Sequence, residues 1–259
     1  MRSRQIVFLM YHELERPGRP LCQSDPGYVR YILAENDFRD QMQWLKSSGW
    51  QGRSVGEALQ YPDSRTVAIT FDDGCETDLL CAAPILKETR NNATFYVTAG
   101  FLGKPGYLSP YQLRELSAMG FEIGCHSMTH AYLNDLAESG LRREIVEAKQ
   151  RLEEIVGKPV EHFSCPGGRF DERAVEMARN AGYRSMANSR VGTNSASSDR
   201  FRLVRIAVLR GTTPQGFQEI CRGRGLWKSR AGKSLRDLAK TVLGNPLYDR
   251  CRKRLLAGR

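Results

Sequence analysis

Acidic residues almost vanish from one end of this chain. Of its 29 Asp and Glu, only two fall in residues 222–259, against 12 of the 39 Lys and Arg. Residues 1–221 balance at 27 of each sign, so the last segment carries the whole formal net charge of +10. Long hydrophobic runs are missing as well. The apolar stretch "IVFLM" at residues 6–10 follows basic residues, but it is too short for a secretory core and runs straight into Tyr11-His12-Glu13. Seven cysteines, an odd number with no Cys-x-x-Cys pair, argue against a disulfide framework and for a reducing compartment. These absences predict a cytoplasmic protein. No repeat or low-complexity segment is present, and there are only four histidines.

What is present alternates. Apolar or β-branched runs fall near residues 5–11, 67–71, 93–97, 121–125, 162–165, 184–187 and 203–208, which makes seven candidate strands. Helical patterns lie between them. Asn36 is placed to cap a helix with Phe38, Met42 and Leu45 on one face and Gly49 as its stop. Residues 78–89, 109–119, 134–156 and 171–180 read the same way. Strand–helix alternation predicts a parallel sheet, and 259 residues suffice for one α/β domain of barrel size.

Two stretches carry chemistry. "ITFDDGCETD" at residues 69–78 ends a buried-strand pattern in adjacent carboxylates, Asp72 and Asp73, before Gly74. Taken alone it is also a plain Asp-Asp-Gly turn. Adjacent strand residues point to opposite sides, which suits two acids with two separate tasks. "CHSMTH" at residues 125–130 then sets His126 and His130 four apart, the spacing of one face of a helix or of a loop entering one. One Asp with two His is a three-ligand set for a zinc-like site with an open position. Cys75, Cys125 and Cys165 flank these motifs and read as buried packing residues, with a reactive or metal-linked role as the alternative.

"TFDDG", "HSMTH" and the partial "FSCPGG" at 163–168 resemble the motifs of the polysaccharide deacetylase family, the carbohydrate esterase group with the nodulation-type chitooligosaccharide deacetylase domain. The resemblance runs from about Ile6 to Val208. It implies a distorted or incomplete (β/α)7 barrel over residues 1–221, with Asp73, His126 and His130 holding a divalent metal, most simply zinc with cobalt as a substitute. It also implies Asp72 as the general base toward water, and an oxyanion held by the metal and an N–H of the turn after Gly74. Ser127 and Thr129 would support the ligands or cap the loop. The implied reaction is hydrolysis of N-acetyl, less readily O-acetyl, groups on a sugar of a glycan or glycolipid precursor.

Departures from the family pattern matter equally. Ser164 stands where the family has an arginine that orients the base, and Gly167 where an aromatic is common. No Asp-x-x-Asp-Trp occurs between Tyr183 and Phe201, and "RLVRIAVLRG" lacks the histidine that serves the family as general acid. His12, at the mouth of the first strand, is the candidate substitute acid, with a structural hydrogen-bonded histidine as the alternative. His162 reads as structural, and Arg205 and Arg210 as substrate contacts or solvated strand ends. These losses motivate a second reading, a carbohydrate-binding or assembly protein that keeps the barrel without turnover.

Residues 222–259 read as a basic amphipathic helical tail. Ser234 and Asp237 resemble a capping box, Leu235, Leu238, Val242 and Leu243 recur at helical spacing, and Asn245-Pro246 restarts the pattern. An anionic membrane surface or packing on the barrel fits this stripe better than nucleic acid does.

Overall fold

The computed structural model describes residues 5–61, 63 and 65–226. Its apolar runs form one curled sheet. Strands β1 (Gln5–Tyr11), β2 (Thr66–Phe71), β3 (Thr94–Val97), β4 (Glu122–Cys125), β5 (His162–Ser164) and β6 (Ser185–Ala187) lie side by side in that order, all parallel. β7 (Ile206–Ala207) returns to the outer edge of β1, with Ile206 opposite Leu9, beside the short antiparallel pairing of Asn194–Ser195 with Gln5–Ile6. Just before it, Leu203 bridges to Ala187 of β6. The result is an incomplete seven-stranded barrel, with a thin seam between β6 and β7. The seven runs read from the sequence are these strands.

Parallel strands are joined by crossovers that cover the sheet, so their residues are buried on both faces. All six residues of β2 are buried. Tyr11, Phe71 and Phe95 stack across β1, β2 and β3 with centroids 5.2 and 5.1 Å apart. Helix α1 (Glu35–Ser47) covers them, setting Phe38 edge-on to Tyr11 at 5.1 Å. Such aromatic pairs contribute about 0.5–1.5 kcal/mol each beyond area burial. The Tyr11 hydroxyl donates to Gln41 of α1 at 2.8 Å, so the buried phenol is not left unpaired.

Helices α2 (Ala83–Thr89), α3 (Pro110–Ala118), α4 (Ala148–Val156), α5 (Glu172–Asn180) and α6 (Pro214–Cys221) follow. Ser109 and Gln112 form a reciprocal capping box on α3, and Asp171 caps α5. Asn36 does not cap α1. Leu33–Ala34 pairs with Leu14–Glu15 as a short strand, and the helix starts directly from it at Glu35. The stretch 134–156 is not one helix either: a π-helical turn, Arg143–Glu147, separates Glu138–Arg142 from α4.

Parallel strands expose all their C-terminal ends on one rim, and here that rim gathers His12 after β1, Asp72 and Asp73 after β2, and His126 after β4. Among the described residues no helix is long and apolar enough to cross a membrane. Most of the predicted basic tail, residues 227–259, lies outside the described residues.

Candidate active site

Asp72 and Asp73 leave β2 in different backbone states. Asp72 continues the strand, its amide bonded to Tyr11 O at 3.0 Å, whereas Asp73 has φ of 81° and Gly74 φ of 79°. A non-glycine residue at such φ is strained and persists only where its surroundings hold it. Here the Asp73 carbonyl accepts from Thr98 N, and a Cβ on Gly74 would lie 2.9 Å from the Val97 side chain. The turn changes the expected geometry: instead of pointing to opposite sides, both carboxylates face His126. Its Nε2 lies 3.9 Å from Asp72 Oδ2 and 3.6 Å from Asp73 Oδ1.

The histidine pair sits on a loop rather than a helix, with Ser127 and His130 at φ of 70° and 64°. Glu144, buried in the π-helical turn, organises this loop. Its carboxylate accepts from Met128 N at 2.9 Å, Thr129 N at 2.7 Å and Thr129 Oγ1 at 2.7 Å. Ser127 Oγ accepts from His130 N at 3.0 Å. Ser127 thus supports the loop directly and Thr129 through Glu144, which motif reading did not single out.

His130 Nε2 comes within 3.4 Å of Asp73 Oδ1, and one donor atom from each of Asp73, His126 and His130 lies within 4.8 Å of the others. His126 Nδ1 is 2.8 Å from Ser164 O, a carbonyl that only accepts, so Nδ1 carries the proton and Nε2 presents its lone pair. Burial lowers the His126 pKa to about 4 despite Asp72 and Asp73, keeping the ring neutral at neutral pH. Asp73 Oδ1 is buried without a hydrogen-bond partner. Lone pairs converging on an unpartnered carboxylate oxygen leave a position that a divalent cation satisfies.

Asp72 is held by Arg205. Guanidinium Nη1 donates to Oδ1 at 2.7 Å and Nη2 to Oδ2 at 2.8 Å, while Nη2 also reaches Ser164 Oγ at 2.7 Å and Nε reaches Asn188 O at 3.1 Å. Arg205 is 1% exposed, so it is not a solvated strand end. The arginine absent from position 164 is therefore not absent from the site. It comes from the residue immediately before β7, and its Nη2 reaches the small Ser164 Oγ. Burial by itself would raise the Asp72 pKa, but the Arg205 charge, then His126 and the guanidinium hydrogen bonds, outweigh it and hold the group well below the usual carboxylate range. Arg210, by contrast, pairs with Glu15 at 2.8 Å on the surface.

Gly167 is explained in the same way. At φ of 61°, a Cβ there would lie 2.8 Å from the Tyr132 ring, so an aromatic from the histidine loop fills the space beside the third motif. His12 is half-buried, its ring 4.8 Å from that of Tyr31 and its buried Nδ1 without a partner. Burial lowers its pKa; Asp73 and then Asp72 act to raise it, which places His12 in the electrostatic reach of both acids. His162 lies at the opposite end of its strand, bonded to Ser185 Oγ at 2.8 Å. In the turn after Gly74, the Glu76 amide is already taken by Gly106 O at 2.8 Å, so it is not free for an oxyanion.

Comparison with known proteins agrees with this geometry. Residues 60–186 match the polysaccharide deacetylase family model. YxkH of Bacillus subtilis strain 168, named as a polysaccharide deacetylase, is 26% identical over 219 residues, spanning 82% of this chain and 75% of its own. The peptidoglycan-N-acetylglucosamine deacetylase of Bacillus cereus is 30% identical over 125 residues, 48% of this chain and 56% of its own. The fold is that of the Streptococcus pyogenes deacetylase PplD, solved in complex with acetate. The two superpose with a TM-score of 0.75 at 23% identity, over 85% of this chain and 99% of that one. The Asp-Asp-Gly turn and the paired histidines on the barrel rim both lie within the residues 60–186 that match the polysaccharide deacetylase family model.

Proposed function

We propose that this protein is a metal-dependent hydrolase that removes N-acetyl groups from an amino sugar within a glycan or glycolipid precursor. The observation that carries it is the pairing of an unpartnered Asp73 oxygen, facing two imidazoles, with an adjacent carboxylate kept ionised by Arg205. Asp73, His126 and His130 would hold a divalent ion, zinc by the two-His, one-carboxylate donor set. Such an ion, when bound, polarises the acetamide carbonyl and acidifies water.

The chain's own residues supply the remainder. Asp72, an anion fixed by two guanidinium bonds, takes the proton of the attacking water. His12, neutral at rest because burial lowers its pKa, takes over the proton that Asp72 removed from the water and delivers it to the leaving amine, which returns both groups to their starting state. Relatives named as acting on N-acetylglucosamine polymers, including a poly-beta-1,6-N-acetyl-D-glucosamine N-deacetylase of Staphylococcus aureus that is 25% identical over 178 residues, support this substrate class. The binding-only reading rested on a missing base-orienting arginine, a missing aspartate and a missing acid histidine, and Arg205 on Asp72 removes the first of these grounds. The six described cysteines are all free thiols, which supports a reducing compartment.

Acetate release from N-acetylglucosamine oligomers and lipid-linked N-acetylated sugars is the direct test. Turnover should disappear with a chelator and return with zinc or cobalt. Metal-loaded, folded protein that turns over no acylated amino sugar would end the proposal.

A further inference from the structure

A second group of metal-ligating side chains lies next to the first. One carboxylate oxygen of Glu13 and the sulfurs of Cys22 and Cys75 all lie within 4.8 Å of one another. They come from three places: Glu13 just after β1, Cys22 in the following connection, and Cys75 in the turn that carries Asp73. Both Glu13 oxygens accept from the Cys22 amide, at 3.0 and 3.1 Å, which pins that cysteine in place. Cys22 Sγ contacts Gly106 O at 2.9 Å, and Cys75 Sγ lies 3.4 Å from the Tyr28 hydroxyl. Glu13 and Cys75 are buried, and half-buried Cys22 gives access from solvent.

The independent observation is Asp78. It is 1% exposed and neither carboxylate oxygen has a hydrogen-bond partner. Its amide is bonded to Cys75 O at 3.0 Å, so the backbone tethers it to the same turn. Apolar packing would call for neither an unpartnered carboxylate nor a second one beside two sulfurs.

We propose that Glu13, Cys22 and Cys75, with Asp78 in support, form a second cation site for a zinc-class ion. Two sulfurs exclude calcium and magnesium, which take oxygen ligands, and select a borderline or soft ion. Bonds of about 2.3 Å to sulfur and 2.0–2.2 Å to oxygen fit inside the observed spacing. On binding, each thiol releases its proton to solvent as the sulfur–metal bond forms. The ion would tie the connection after β1 to the turn after β2, bracing the strained backbone of Asp73 two residues from Cys75. The proposal does not depend on the catalytic reading, since the first ligand set contains no sulfur.

Cobalt(II) separates the two sites, because thiolate ligands give an intense near-ultraviolet charge-transfer band that imidazole and carboxylate do not. Reduced, chelator-treated full-length protein should bind two equivalents and show the band. The His126→Ala/His130→Ala variant should bind one and keep it. Cys22→Ser and Cys75→Ala should each bind one and lose it, and zinc should raise the melting temperature of the histidine variant. Should Cys75→Ala fail to fold, the half-buried Cys22→Ser still decides the point. No band in folded protein, a band surviving both cysteine variants, or a Cys22–Cys75 disulfide by thiol titration would overturn the proposal.

Discussion

Arg205 and Asp72, 133 residues apart in the chain, form two parallel hydrogen bonds of 2.7 and 2.8 Å with both side chains buried. The fork geometry fixes the carboxylate plane as well as its charge, which a lysine cannot do. Arg205→Lys should therefore lower kcat/KM while leaving metal content unchanged. Arg205→Ala should cost about 3–5 kcal/mol of stability by leaving a buried carboxylate unpaired. Moving the guanidinium back to the family position, in Ser164→Arg/Arg205→Ser, should recover activity relative to Arg205→Ser alone. Wild-type kinetics in Arg205→Lys, across the pH profile, would show that the fork is not needed.

Glu144 holds the histidine loop from outside the motif. Three hydrogen bonds of 2.7–2.9 Å end on its carboxylate, and they order the residues between His126 and His130. Partners that orient ligands change metal affinity by about 10–100-fold when removed. Glu144→Gln should weaken zinc binding within that range, measured by competition with a chromophoric chelator, with melting of the metal-free protein little altered. Unchanged affinity would assign Glu144 to folding alone.

How much of this was legible in the sequence depends on distance along the chain. The seven strands and the Asp73–His126–His130 grouping were readable because β-branched runs and short motifs are local signals, and strand ends share one rim. Asn36 failed as a cap because a short tertiary pairing, Leu33–Ala34 with Leu14–Glu15, set the start of α1. The histidine spacing allowed a helical face or a loop, and positive φ at Ser127 and His130 makes it a loop, held by Glu144. Arg205 was invisible as the partner of Asp72 because only closure of the barrel brings β7 beside β1. The complementary signal was present, a small residue at 164 and an arginine in the last strand, but nothing local links them.

Acid should destabilise the metal-free protein in a direction that two groups share. His126 has a folded pKa of about 4 against an ordinary 6.5, so the unfolded chain binds more protons between those values and stability falls as pH drops through that window. Integrated over the shift, the loss is on the order of 3 kcal/mol. Asp72, depressed by Arg205, adds stability that is present above its ordinary pKa and is lost below it. Chelator-treated protein should show urea midpoints that decline from pH 7 to 4, with a shallower decline in His126→Ala. A flat profile would mean that His126 is not buried as a neutral ring.

His12 remains the one titrating histidine on the rim outside the ligand set, since His162 is bonded to Ser185 at the far end of its strand. Its buried Nδ1 has no hydrogen-bond partner, and burial lowers its pKa, which favours the neutral ring before reaction. Amines leave poorly unless protonated, and a positioned acid contributes on the order of 10²–10⁴-fold. His12→Ala should lower kcat by about that factor while zinc content stays the same. The variant should also lose one limb of the wild-type pH–rate profile. Loss of zinc in His12→Ala would make the residue a ligand, and loss of folding would make it structural. Full activity with an unaltered pH profile would leave Asp72, passing on the proton it took from water, as the donor to the amine.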